Sequence, residues 1–284
     1  MTNDIEGILS QVLQTFQHVA GIDAIVLGGS HATGTANKNS DIDIGVYYDG
    51  TNFDLSSFRR LAATLDDQHR KDIITEPGEW GPWIDGGGWL TINGIAVDIL
   101  FRNTQKVISV INACMDGKIT IDYQCGHPFG FVNSIYMGEL AYCKILCNNN
   151  NLVLDQKKKL AIFPRRYQNA VIERFLWECE FSMKCGTKAI SKGDVLYAAG
   201  SIFRCGISLL QVLYAMNEMY MLNEKGCLQR LLQQKLAYIP MNFAKDMEAA
   251  LSDLNINTIA DCFDRIEAQY NELSKHHELN SHVH

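Results

Sequence analysis

The chain has 284 residues, of which 47% are hydrophobic and 20% are charged, and its formal net charge is −7. This length and composition suit about two globular domains, each able to bury a sizeable core. The acidic balance argues against a protein that binds nucleic acid through a broad basic surface. A cationic partner suits such a chain better than a polyanionic one.

Nine cysteines are present, and no spacing between them follows a zinc-binding pattern. Reduced, mostly buried thiols are therefore expected, which favours a reducing compartment. The N-terminus is acidic and lacks the apolar core of a signal peptide, and no run of about 18 apolar residues would span a membrane. We predict a cytoplasmic protein without membrane contact. The oligomeric state stays open, a homodimer included.

A glycine-rich turn follows the first predicted strand. Helical spacing of apolar residues predicts a helix over residues 4–20, and an apolar run at 24–27 then predicts a buried strand. Gly28 and Gly29 let the backbone turn tightly and let a phosphate approach main-chain N–H groups. The hydroxyl of Ser30 can donate to a phosphate oxygen. A short helix is expected to follow.

The next strand carries a pair of carboxylates, Asp41 and Asp43. Residues two apart on a strand point to the same face, so both project together while Ile42 and Ile44 enter the core. Neighbouring carboxylates repel each other, which predicts a bound divalent cation. Solvation of both at the strand end is the alternative. Ser40, directly before the pair, is a predicted nucleotide contact.

Residues 76–88 combine glycine, proline and tryptophan, which excludes a regular helix. The indoles of Trp80, Trp83 and Trp89 can stack on a base or on a ring-shaped acceptor, or they can simply cover the sheet. Glu79 is a nearby acid that can meet a cationic acceptor. We therefore predict acceptor contacts at Glu79, Trp83 and Trp89.

A β-hairpin is predicted over residues 89–101, because Asn93-Gly94 between two apolar runs is the strongest short hairpin signal. The hairpin would place Asp98 on a central strand beside the strand of Asp41 and Asp43. Three carboxylates would then share one cation site. A purely structural role for Asp98 is the alternative.

Helical periodicity replaces strand-like runs beyond residue 120. We predict an α+β domain over 1–120, with a mixed sheet flanked by helices, and an all-α helical bundle over 121–284 that binds acceptor or nucleotide. Pro164 should break a long helical stretch, and Asp194 should cap the helix that follows it. The other helices of this part are predicted over residues 135–147, 223–236, 244–251 and 258–273.

The N-terminal segment resembles the nucleotidyltransferase superfamily related to DNA polymerase beta. The resemblance covers roughly residues 20–115 and rests on an apolar strand, Gly29-Ser30, a spacer, Asp41 and Asp43 around an apolar residue, and Asp98 on a later strand. It implies transfer of a nucleoside monophosphate, most commonly AMP from ATP, to an acceptor hydroxyl, with pyrophosphate leaving. It also implies one or two Mg²⁺ ions held by the three aspartates, and leaves open whether Asp98 is also the general base.

The order of a nucleotidyltransferase-like domain and a helical bundle resembles the bacterial nucleotidyltransferases that act on aminoglycosides and lincosamides, and also a related group of bacterial proteins with unassigned substrates. The segments shared with that related group are Gly87–Thr91, before Asp98, and later Gly193–Tyr197, Phe203-Arg204 and Leu222–Gly226. Arg204 and Lys225 are expected to bind the triphosphate. Asp194 and Tyr197 are expected to face the acceptor. Salt bridges inside the bundle, such as Arg204 with Glu224, are the alternative.

Three functions compete. The first is an enzyme that transfers a nucleoside monophosphate from ATP or another nucleoside triphosphate to a small hydroxylated acceptor, with antibiotics among the candidate acceptors. The second modifies protein side chains, as toxin–antitoxin nucleotidyltransferases do, although the antitoxin versions are usually shorter and lack so large a helical domain. The third is a non-catalytic nucleotide-binding protein, which the presence of all three predicted metal ligands disfavours. No nucleic-acid partner is expected.

Overall fold

A computed structural model of the chain describes residues 2–234 and 238–281. Two compact units divide these residues differently from the boundary predicted at 120. The N-terminal unit consists of residues 1–113, 122–126 and 131–162, and the helical unit consists of residues 114–121, 127–130 and 163–284. All nine cysteines lie in the described part of the chain and are free.

The elements up to residue 162 are α1 (Thr2–Phe16), β1 (Ile22–Leu27), α2 (Gly29–Thr33), β2 (Ile42–Tyr48), α3 (Leu55–Leu65), β3 (Gly87–Ile92), β4 (Ile95–Asn103), α4 (Thr104–Met115), β5 (Ile121–Asp122), β6 (Phe131–Val132), α5 (Ile135–Tyr142), β7 (Lys144–Asn148) and α6 (Leu152–Lys159). The later helices are α7 (Arg165–Gly186), a 3₁₀-helix (Thr187–Lys192), α8 (Val195–Met216), α9 (Cys227–Leu232), α10 (Phe243–Ser252) and α11 (Ile259–Ser281).

A five-stranded mixed sheet, in the order β3-β4-β2-β1-β7, forms the centre of the N-terminal unit. Strands β2 and β4 run parallel, and the other neighbours are antiparallel. Ile42 and Ile44 are buried on one face of the sheet, in a core that α1 and α3 complete. There the ring of Phe16 stacks on that of Phe58, with centroids 4.2 Å apart. The opposite face of β2 carries Asp43.

The hairpin prediction is confirmed. β3 and β4 pair as an antiparallel ladder that closes at Ile92 and Ile95. The two turn residues, Asn93 and Gly94, have φ of 52° and 77°, the left-handed conformation that a two-residue hairpin turn demands. Asp98 therefore lies on β4, next to β2 in the sheet, where the sequence placed it.

The prediction of a single helix over residues 135–147 is wrong for the second half of that range. α5 ends at Tyr142, Cys143 is extended, and β7 then pairs antiparallel with β1 at the edge of the sheet. The backbone groups of β1 need partners on that side, and pairing with them outweighs the local helical spacing. The predicted absence of strands beyond residue 120 is corrected by β5, β6 and β7.

The helical unit packs α7 and α11 against α8. Pro164 directly precedes α7, and the Asp194 carboxylate caps α8 by accepting from the Tyr197 N–H at 3.0 Å, so both predictions at these residues are confirmed. Among the described helices, α8 alone is long and apolar enough to cross a membrane, and half of its apolar stretch is buried in the protein, as in a core helix.

The helix predicted over residues 223–236 is shorter in the structure. α9 covers Cys227–Leu232 only, and Gly226, with φ of 67°, makes the turn before it. The segment 222–226 is therefore a turn, in which the Lys225 N–H donates to the Asn223 side chain at 3.1 Å. Residues 235 and 236 of the predicted helix lie outside the described residues.

Candidate active site

The glycine turn at the end of β1 lies directly against Asp43. The Gly28 N–H donates to the Asp43 carbonyl at 2.8 Å. Gly29 has φ of 56°, and a Cβ atom added there would lie 1.7 Å from Oδ2 of Asp43. No other residue type fits this position without moving the carboxylate. The glycine turn and the Asp43 carboxylate thus form one local arrangement. We call these four residues, Gly28, Gly29, Ser30 and Asp43, the cradle.

Asp43 and Asp98 are direct neighbours across the parallel ladder of β2 and β4. Residues opposite each other in a ladder project to the same face, here the face away from the α1–α3 core. Both residues are half-buried. Two carboxylates in this arrangement repel each other, and a cation between them relieves that repulsion.

The third predicted ligand, Asp41, is exposed and stands one residue before β2. In the described part of the chain, no group of three or more His, Cys, Asp or Glu residues is arranged as it stands to hold a metal ion. The predicted three-carboxylate cluster is therefore only partly assembled. The donors nevertheless fit Mg²⁺, which prefers carboxylate oxygens and retains several water or phosphate ligands.

The predicted hydroxyl contacts lie on α2 and on the loop after it. Ser30 is the second residue of α2, which Gly28 precedes without a side-chain cap. The Ser40 hydroxyl accepts from the Asn37 N–H at 2.9 Å, and Nε2 of His31 lies 3.4 Å from the Ser40 carbonyl. Ser40 thus stabilises the loop that leads into Asp41, while its own O–H proton stays available to a ligand.

Two basic residues near the site, Lys144 and Arg102, are not among the predicted site residues. Nζ of Lys144, the first residue of β7, lies 3.5 Å from the His31 carbonyl, so it adds a positive charge beside the cradle. A helix over residues 135–147, as predicted from the sequence, would not place Lys144 on the sheet beside the turn. On the site face of β4, Arg102 forms a two-pronged ion pair with Glu139 of α5, at 2.7 and 2.8 Å. Burial lowers the pKa of Arg102. The negative charge and hydrogen bonds of Glu139 raise it by more, so the pKa lies above its ordinary value.

The tryptophans of the Gly-rich segment differ in their surroundings. Trp83 packs inside the N-terminal unit, where its ring stacks on Phe131 at 5.1 Å and its carbonyl accepts from the Tyr136 hydroxyl at 2.6 Å. Trp89, in contrast, is 59% exposed. The carboxylate of Glu79 is exposed and accepts from the Glu76 N–H at 2.9 Å.

In the helical unit, Asp194, Tyr197 and Arg204 line one cavity of about 710 Å³. The Arg204 guanidinium donates to Glu178 and lies over the Phe129 ring, 5.2 Å from its centroid. A salt bridge inside the bundle thus exists, with Glu178 as the partner. The other residues that line the cavity are Glu178, Phe181, Ser182, Cys185, Leu196, Gly200 and Ser201.

Glu224, the partner considered for Arg204, accepts instead from the Phe129 N–H at 2.8 Å. Burial raises the pKa of Glu224, but hydrogen bonds that include those from His127 and the Phe129 N–H outweigh it, so the pKa is below its ordinary value. Glu224 thereby ties the segment 127–130 to the rest of the helical unit. Lys225 is exposed.

Comparison with known proteins gives a family match for the N-terminal part of the chain. The family described as "Nucleotidyltransferase domain" matches residues 6–110. No curated protein matches the chain. The crystal structure of a nucleotidyltransferase-like protein from Exiguobacterium sibiricum aligns with 94% of this chain and 75% of its own, at 11% identity and a TM-score of 0.47. A likeness this distant carries no information on substrates.

Proposed function

We propose that this chain, an enzyme with an N-terminal nucleotidyltransferase domain, transfers a nucleoside monophosphate from a nucleoside triphosphate to a hydroxyl of a small acceptor. The observation that carries the proposal is the register of Asp43 and Asp98 on parallel neighbouring strands, with the glycine turn against Asp43. The proposed donor is ATP, and an aminoglycoside-like or lincosamide-like antibiotic is the proposed kind of acceptor. The site of action is proposed to be the cytoplasm.

Each side chain of the site has a proposed task. Gly28, Gly29 and Ser30 bind the triphosphate through main-chain N–H groups and a hydroxyl. Asp43 and Asp98, with Asp41, provide oxygen ligands for a divalent cation. When bound, one or two Mg²⁺ ions would neutralise the charge on the attacking and leaving oxygens.

The reaction forms one bond and breaks one. The acceptor oxygen bonds to the α-phosphorus, and the bond from that phosphorus to the pyrophosphate oxygen breaks. The acceptor hydroxyl loses its proton in this step. Asp98, the carboxylate farther from the glycine turn in the strand order β1-β2-β4, is the proposed general base.

The helical unit is proposed to add binding contacts. Asp194 and Tyr197, in the cavity of that unit, are the proposed polar and aromatic contacts for the acceptor. Arg204 and Lys225 are the proposed cations for the leaving pyrophosphate, with Ser40 as a further contact to the nucleotide. Because Glu178 already binds Arg204, we expect Arg204→Ala to raise the KM for the nucleotide less than a change in the cradle does.

The test is transfer of label from each α-³²P nucleoside triphosphate, with Mg²⁺, to a panel of aminoglycosides, lincosamides and proteins, with pyrophosphate release measured in parallel. We expect Asp41→Asn and Asp43→Asn to abolish transfer while circular dichroism stays unchanged. Asp49→Asn, at the other end of β2, serves as the matched control. Near-wild-type turnover by either site variant would refute the assigned roles. Label found only on proteins would favour the protein-modifying alternative.

A further inference from the structure

A pair of stacked tryptophans lies next to the carboxylates. Trp89 is the direct partner of Asp98 in the β3–β4 ladder, just as Asp98 is the partner of Asp43 in the β2–β4 ladder. Residues opposite each other share a face of the sheet, so these three side chains form one row. The indole of Trp80 stacks on that of Trp89, with centroids 4.6 Å apart and planes 25° apart.

The row has two distinct ends. At one end the glycine turn of β1 contacts Asp43. At the other end, on β3, stands Trp89, beyond Asp98. If the triphosphate occupies the turn, the reacting phosphorus lies near the carboxylates, and the tryptophan end is the side left for the group that attacks it.

Packing of the sheet does not require an exposed indole at Trp89. Its neighbours Leu90 and Ile92 fill the core on the opposite face and are 2% and 1% exposed. Trp89 itself leaves 59% of its surface to water, which costs free energy for so large an apolar side chain. A flat ligand that covers this surface would recover part of it, and an indole face attracts rings and cations.

We propose that Trp80 and Trp89 bind a ring of the acceptor, so that the acceptor is a small molecule whose reactive hydroxyl is on or next to a ring. This inference rests on the proposed transfer reaction. The carboxylate of Glu79, next to Trp80 in the chain and exposed, provides a partner for an amino group on such a ring. An aromatic ring can stack on the indole face, and a saturated amino-sugar ring can lie on it through the C–H groups of one ring face.

The chain offers a matched control for Trp89. Trp177 in the helical unit is also exposed, at 52%, and it also stacks on a neighbouring ring, that of Phe181, with centroids 5.2 Å apart. The variants are Trp89→Ala, Trp89→Phe and Trp177→Ala. Pyrophosphate release is measured against kanamycin (amino-sugar rings), 4-hydroxybenzyl alcohol (an aromatic ring) and the acyclic polyols glycerol and sorbitol, and thermal unfolding checks the fold of each variant.

We expect release with at least one ring-bearing probe and not with the acyclic polyols. Trp89→Ala should raise the KM for that probe about tenfold, and Trp89→Phe should restore most of the loss. The KM for the nucleotide should stay within about twofold. Trp177→Ala should leave the KM for the nucleotide unchanged and, because its stacking partner Phe181 lines the cavity of the helical unit, should raise the KM for the probe by no more than about twofold. The probe that responds to Trp89→Ala identifies which kind of ring is bound.

Two results would overturn the inference while the transfer reaction stands. One is an acceptor KM for Trp89→Ala equal to that of Trp177→Ala. The other is a rise in the nucleotide KM alone, which would mean that the indoles stack on the base. Absence of pyrophosphate release from the wild-type protein with these probes and also with the whole acceptor panel of the transfer test would refute the proposed function, and this inference with it.

Discussion

The sharpest structural prediction concerns Gly29 and its control, Gly34. Both have positive φ, 56° and 75°, so alanine at either position costs about 1–2 kcal/mol of backbone strain. Their surroundings differ. A Cβ at Gly34 meets nothing within 4 Å, whereas a Cβ at Gly29 would lie 1.7 Å from Oδ2 and 2.6 Å from Cγ of Asp43.

The added methyl must therefore displace the Asp43 carboxylate by well over 1 Å, because carbon and oxygen need roughly 3.4 Å of separation. A misplacement of about 1 Å in a catalytic arrangement can cost 10²-fold in rate. We expect Gly29→Ala to lower kcat/KM at least about 100-fold, or about 2.7 kcal/mol of transition-state stabilisation. Gly34→Ala should stay within about threefold of the wild type.

Thermal unfolding and pyrophosphate release, measured on both variants, separate strain from misplacement. Each variant should lose a few degrees of Tm from backbone strain, at about 2–4 °C per kcal/mol for a chain of this size, and Gly29→Ala should lose somewhat more because its methyl also overlaps the carboxylate. Equal activity in the two variants, or a loss of activity that follows Tm in both, would refute the conclusion that the turn positions the carboxylate.

Two further predictions concern stability. Glu139→Ala leaves the Arg102 guanidinium buried without its partner, so urea unfolding should show a loss of about 3–5 kcal/mol, and a loss below about 1 kcal/mol would contradict the pairing. The buried Asp66 accepts from Arg70, which with the Thr91 N–H holds the Asp66 pKa well below its usual range. This contribution should be complete above the unfolded pKa of about 3.9 and disappear as pH falls below it, and an Asp66→Asn variant with the same acid unfolding profile as the wild type would contradict it.

Local chemistry explains which predictions from sequence succeed. Asn93-Gly94 fixes a hairpin because few residues tolerate two consecutive left-handed conformations. Pro164 and Asp194 mark helix ends because one lacks an N–H group and the other offers a carboxylate to the first turn. Once the hairpin is set beside the strand of Asp43, Asp98 and Asp43 are predicted to be neighbours, because strand periodicity fixes the face to which each side chain points.

Features that depend on distant partners escape such reasoning. β7 forms because one edge of β1, more than a hundred residues earlier in the chain, would be unpaired without it. Nothing within residues 144–148 distinguishes that strand from the end of a helix. The partner of Arg204 is Glu178, 26 positions away. Trp83 and Trp89 look equivalent in the sequence, and only packing against Phe131 separates the first from the exposed second.

Binding of Mn²⁺ in place of Mg²⁺, counted by electron paramagnetic resonance with a non-hydrolysable ATP analogue present, tests most directly whether Asp43 and Asp98 jointly hold a divalent cation. We predict that the wild-type protein and Asp49→Asn bind Mn²⁺ equally, and that Asp43→Asn and Asp98→Asn each weaken the binding at least about tenfold. Undiminished Mn²⁺ affinity in both site variants would contradict the account.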